Sequence, residues 1–199
     1  VLAGAGPEAA APHPLRRDPR FGAADACANC HEFGFPDNHR RAEPLAMQRT
    51  IAEHAASPRR DTTCVACHMR DEDGARSHVF RGTRDVRFVA DALEIRAARV
   101  AADAVEITIG ARADRVGHAV PTGDLFRRLT IAVRSIGPGP RRAWASRYLS
   151  RHYKIEIGRG TPQRTELWDD RPHPGAPPQV LRFALDPADA ARSVAWEVR

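Results

Sequence analysis

Two pentapeptides hold the residues best able to do chemistry, Cys27-Ala28-Asn29-Cys30-His31 and Cys64-Val65-Ala66-Cys67-His68, and together they use all four cysteines of the chain. In each, two thiols three positions apart can add to the two vinyl groups on one edge of a haem. The histidine that follows then reaches the iron, the pattern of covalent c-type haem attachment. A neutral imidazole nitrogen suits iron, and its second ring nitrogen is left for a carbonyl or carboxylate to orient. The expected cofactors are two covalently bound haem c groups, attached through Cys27, Cys30, Cys64 and Cys67, with His31 and His68 as proximal iron ligands.

Plainer uses of four cysteines fit less well. A four-cysteine zinc site wants its C-x-x-C pairs about 15 to 20 residues apart, whereas 33 residues separate Cys30 from Cys64. A thioredoxin-like pair needs a βαβ setting that the pattern lacks. Two disulfides leave both adjacent histidines unexplained, as zinc does. With nine histidines in 199 residues, one after each pair is an improbable accident.

Each iron also needs its far side settled, because a second strong ligand favours electron transfer and an open position favours chemistry on a small molecule. The remaining donors are His13, His39, His54, His78, His118, His152, His173, Met47 and Met69. Met69 follows a proximal histidine directly and cannot cross its own haem. His78, ten residues beyond His68, serves the other haem with less contortion. His118 lies in Gly117-His118-Ala119-Val120-Pro121-Thr122-Gly123, bounded by Gly and Pro between two predicted strands, where a side chain can be projected from a rigid sheet.

These donors need elements to position them. Residues 1–24 are rich in Ala, Pro and Gly and predict an extended arm. Residues 25–84 hold both motifs but too few large apolar side chains for a conventional core, so the haems themselves must supply it. Glu43-Pro44 followed by LAMQRTIAEHAAS predicts a helix ending near Ser57, with Met47, Ile51 and His54 on one face turned to a haem. Beyond Val86 the pattern changes to strands over 92–100, 105–114, 127–136, 153–160, 180–186 and 193–199, an antiparallel β-sandwich spanning 85–199. The proline-rich stretch 161–178 predicts a long surface loop. The fold class is α+β, a small helical dihaem domain followed by the sandwich. Because the last residues still read as strand, the true terminus is expected further on.

Charge and targeting signals narrow the setting. The net charge is +6, yet Lys154 is the single lysine, and the arginines are spread among 25 acids. That distribution is a compositional bias with no designed nucleic-acid patch. Two ferric haems with ionised propionates lower the charge to roughly +4, enough to steer the chain to an acidic redox partner or an anionic surface. Arg70, Arg81, Arg84, Arg127 and Arg128 are candidates to pair with propionates. No apolar run approaches the ~18 residues of a membrane-spanning helix. The start lacks Met and a leader pattern, so a signal peptide is absent from this chain; periplasmic or other extracytoplasmic placement is expected.

The segments CANCHEFGFP (27–36), MQRTIAEHAASPRRDTTCVACHM (47–69), SHVFRG (77–82) and GHAVPTGDLFRRL (117–129), followed by a β-rich tail, resemble the multihaem c-type cytochromes of bacteria. The resemblance covers residues 25–199. It implies an extracytoplasmic electron carrier with covalent haem c and redox protein partners, as a free carrier or a subunit of a larger, membrane-associated complex. It also implies that His78 and His118, in matching segments, are distal ligands, with Met47 as their rival. A second reading is a haem enzyme, a dihaem peroxidase or an oxidoreductase of small nitrogen compounds, with one open iron. A third makes the sandwich a docking module wired to a larger assembly.

Overall fold

The computed structural model describes residues 18–34, 45–72, 75–77, 79–157 and 163–199. Among the described residues four short α-helices and eleven strands, all in antiparallel sheets, make an α+β arrangement.

The first motif is the helix α1 (Asp25–His31), which runs directly into strand β1 (Glu32–Gly34). β1 pairs antiparallel with β2 (Ala46–Arg49), placing Phe33 opposite Gln48. Helix α2 (Thr50–Ala55) follows at once. The helix predicted from Glu43 to Ser57 is therefore only its second half, and Met47 stands on a strand, off any helical face shared with Ile51 and His54. The edge of β1 offers Ala46–Arg49 a backbone ladder, and that pairing overrides local helix propensity. No side chain of Arg49 caps α2; the Glu32 carboxylate accepts from Ile51 N at 2.9 Å and Ala52 N at 3.1 Å instead.

The second motif is α3 (Cys64–His68), capped by the Thr63 hydroxyl, which accepts from Ala66 N at 3.2 Å. The two-residue strands β3 (Asp71–Glu72) and β4 (Ala75–Arg76) pair next. Helix α4 (Val86–Ala92) starts at Asp85, whose carboxylate accepts from Phe88 N at 3.1 Å.

Two larger sheets follow. β5 (Leu93–Ala101) and β6 (Ala104–Ala111) form a hairpin, and β10 (Gln179–Ala184) adds to the free edge of β6, with Phe183 opposite Val105 and Leu181 opposite Ile107. The second sheet runs β11-β7-β8-β9, from β7 (Arg128–Ile136), β8 (Ala145–Glu156), β9 (Gln163–Asp169) and β11 (Ser193–Val198). Inward positions of both meet in one core: Leu93, Val105, Ile107, Ile109 and Phe183 from the first sheet, Leu129, Ile131, Val133 and Leu149 from the second. Burying each such side chain fully is worth about 1.5–3 kcal/mol.

Two sequence expectations in this half are corrected. Gln163–Asp169, inside the predicted loop 161–178, is an edge strand on β8, because that run contains no proline. β8 begins at Ala145 and not near Tyr153. Its inward alternation is hidden from sequence because Arg151, 4% exposed, occupies an inward position, paired with Glu166 at 2.7 Å.

Candidate haem-binding site

The two motifs lie near each other: Ala24, just before the first, and Cys64, at the start of the second, line one cavity. Burial pushes the Cys64 thiol up, and Cys27 beside it adds to the shift. All four cysteines are free of disulfides. Among the described residues no three His, Cys, Asp or Glu side chains gather at one point.

His68 and His118 face one another. Their rings are nearly parallel, 14° apart, with centroids 6.1 Å apart. A direct stack in the same molecule, His152 on Trp168, has a similar 17° angle but a 4.5 Å separation. Two imidazoles on one metal, each at the usual metal–nitrogen distance of about 2.0 Å, set their ring centres roughly 6 Å apart. The second nitrogens are engaged as iron ligation requires. His68 Nδ1 donates to the Arg81 carbonyl at 3.2 Å, and His118 Nδ1 donates to the Ala119 carbonyl at 3.0 Å. Because a carbonyl only accepts, both Nδ1 atoms carry the proton and each neutral ring keeps its lone pair on Nε2. Burial pushes the His118 pKa below histidine's ordinary value; the bond to the Ala119 carbonyl opposes that shift and the neighbouring His68 adds to it. The Phe88 ring meets His68 edge-on at 5.7 Å. The donor types, their tautomers and the centroid separation are those that a haem iron held by His68 and His118 would need.

His118 is carried by a rigid loop. Its neighbours Val116, Ala119, Val120 and Leu125 are all buried, and Val120 N donates to the Pro172 carbonyl at 2.9 Å. The loop crosses α2 closely: a Cβ on Gly117 would lie 2.8 Å from His54 Cδ2. Gly123 takes φ +103° at the turn, a left-handed conformation that favours glycine. On the α2 side, Glu53 Oε2 accepts from Ala119 N at 3.2 Å and from Thr122 Oγ1 at 2.7 Å, while Oε1 accepts from Arg171 Nη2 at 2.6 Å. Arg171, 2% exposed, also donates from Nη1 to the Pro121 carbonyl at 2.8 Å and through Nε and Nη2 to Asp169. Arg49 joins the cluster, 2.6 Å from Asp169 and 2.9 Å from Glu166.

The other donors are accounted for where they are described. His54 Nε2 donates to the Thr62 carbonyl at 2.9 Å, so this histidine braces the turn after α2. His152 bonds Asp170 at 2.9 Å and His173 bonds Asp169 at 3.2 Å. Met47 is half-buried on β2, and its carbonyl accepts from Arg151 at 3.5 Å. His31 is exposed at the end of α1. His13, His39 and His78 lie outside the described residues. Of the arginines expected near propionates, Arg70 lies 6.0 Å from the Phe88 centroid, Arg81 lends its carbonyl to His68, Arg84 is exposed, Arg127 reaches the Thr122 carbonyl at 3.4 Å, and Arg128 covers Tyr148. Sequence reasoning missed Glu53, Thr122 and Arg171. The first two sit inside segments that carry the family resemblance, but nothing local marks a partnership between positions 118 residues apart.

The fold is like that of a multihaem c-type cytochrome. The solved structure of a penta-haem cytochrome c552 from Thermochromatium tepidum matches 92% of this chain with a TM-score of 0.66 at 19% sequence identity. This chain spans 49%, about half, of that protein's length. No family model and no curated protein sequence matches the chain. Among the described residues, no helix is long and apolar enough to cross a membrane.

Proposed function

We propose that the chain is an extracytoplasmic dihaem c-type cytochrome that carries electrons between redox protein partners, as a free carrier or a subunit of a larger complex. The observation that carries this reading is the opposed pair His68 and His118, 6.1 Å apart with both Nδ1 atoms tied to carbonyls. An iron held from both sides has no open position for a substrate, which favours electron transfer over catalysis.

In this reading Cys64 and Cys67 attach the second haem, with His68 proximal and His118 distal. Cys27 and Cys30 attach the first, with His31 proximal and His78, or Met47 as its rival, distal. Each bound haem supplies a one-electron couple at its iron. Residues 25–84 then form the dihaem unit, 85–199 a β-sandwich that lends the ligand loop, and 1–24 an arm. The shared cavity between Ala24 and Cys64 supports close approach of the two haems and so exchange between them. The positive charge favours an acidic partner or a membrane-associated complex.

Intact mass and peroxidase staining after denaturing electrophoresis should find two haems per chain, and low-temperature EPR should find both low-spin. His118→Ala should turn one of the two high-spin and open it to carbon monoxide. A mass equal to the bare polypeptide, or a large high-spin population in the unaltered protein, would refute the proposal.

A further inference from the structure

We infer that Glu53 is the positioning residue for His118, so that the far side of the second haem is set by a carboxylate from the chain between the two motifs; this rests on the ligation proposed above. Three observations carry it. Glu53 has a side chain only 5% exposed, and both its oxygens are used. Oε2 takes the amide of Ala119, the residue directly after His118, and the hydroxyl of Thr122, so one carboxylate oxygen spans the loop from the ligand to its turn. Oε1 takes Arg171, whose other arm holds the Pro121 carbonyl between those two points.

The same contacts fix where Glu53 itself sits. Its helix is seated at the start by Glu32, the residue after His31, through the Ile51 and Ala52 amides. Thr50, one turn before Glu53, bonds Thr122 Oγ1 at 2.9 Å. His54, the next residue, packs against Gly117 on the other side of His118. The helix thus grips the loop on both sides of the ligand, and Glu53 makes its charged contacts. A carboxylate accepting from a backbone amide and a hydroxyl forms stronger bonds than a neutral group in the same place. Its removal leaves the Ala119 amide without its acceptor and Arg171 with Asp169 as its one carboxylate, so the loop next to His118 keeps only the Arg171 bond to Pro121 and the Thr50 bond to Thr122.

The test uses the haem-loaded protein with four variants, Glu53→Ala, Glu53→Gln, Thr122→Val and His118→Ala. Readouts are carbon monoxide binding to the reduced form, EPR spin state and the midpoint potential of each haem. Glu53→Ala should speed carbon monoxide binding at one haem by roughly tenfold or more, the size expected from losing a charge-assisted contact. It should also shift that haem's potential and leave the other haem unchanged. Glu53→Gln, which keeps an acceptor for the amide, should recover part of the wild-type behaviour. Thr122→Val, which removes one hydroxyl at nearly constant volume, should give a smaller shift in the same direction and decides the matter if Glu53→Ala fails to fold. Wild-type binding and potentials in both Glu53→Ala and Thr122→Val, with His118→Ala open to carbon monoxide, would overturn the inference and leave the ligation standing. A His118→Ala protein with both haems still low-spin and closed would overturn the ligation and the inference with it.

Discussion

The two halves of this chain reach order by different physics. Among the described residues before Leu93, Leu45 is the only apolar side chain that is buried, and α1 to α4 bury none of theirs. From Leu93 onward, Ile107, Ile109 and Ile131 are fully enclosed, and two sheets share one core. Among the described residues the first half has little apolar packing of its own, whereas the second shares one core. Where they meet, the joint is polar: Arg49 and Glu53 from the first half, Arg171, Asp169 and Glu166 from the second. Buried ion clusters of this kind contribute little net stability compared with apolar packing, but their geometry is strict and breaking them is costly. That strictness is useful at a joint that has to hold a histidine opposite another.

The sharpest way to break the contrast is to remove the proposed haem attachment points. A chain with Cys27, Cys30, Cys64 and Cys67 all changed to Ser should lose amide hydrogen-exchange protection throughout α1 to α3 while β6 and β7 keep theirs; loss in both halves together would show that the sheets are not self-supporting.

Next in size is the joint. Arg171→Ala leaves Glu53 and Asp169 with Arg49 as their one shared cation and should cost about 3 kcal/mol in denaturant unfolding, the low end for breaking a buried pair; a loss under 1 kcal/mol would mean the cluster is solvated.

Acid should act on the same joint. Burial raises the pKa of Asp169, but hydrogen bonds from His173 and Arg171 outweigh it and hold the carboxyl well below its ordinary value. A depressed folded pKa gives stability that is present above the unfolded value near 4 and is lost as pH falls below it, here roughly 2 kcal/mol between pH 5 and 2. Asp169→Asn should flatten that part of the stability–pH curve, and an unchanged slope would remove Asp169 from the account.

Smallest is Gly117→Ala. Its Cβ meets the His54 ring at 2.8 Å, so the loop or the ring has to shift, costing about 1 kcal/mol and moving the midpoint potential of one haem. Wild-type stability and potential together would show that the contact relaxes freely.

Much of the β half was legible because its signal is local. The alternation in 105–109 and 129–133 marks inward residues two apart, and those residues are the core. Where an inward position is filled by Arg151, the alternation fails and the first part of β8 is lost to view. Gln163–Asp169 was hidden by the prolines that flank it. In the first half, the helix read across Met47 was half wrong because pairing with β1 came from outside the window. At the site, the Gly- and Pro-bounded loop around His118 was readable as a projecting device, yet what holds it was not.

Five consecutive residues suffice to mark where thioether attachment and a proximal histidine are proposed, so the candidate chemistry at Cys27–His31 and Cys64–His68 was legible in the chain itself. Which histidine stands opposite His68 depends on a loop 50 residues away, a carboxylate 66 residues from the amide it holds and an arginine 118 residues beyond that carboxylate. Contacts over such separations leave no periodic trace in a sequence, because they are selected by the packing of whole elements, and only the tertiary structure decides them.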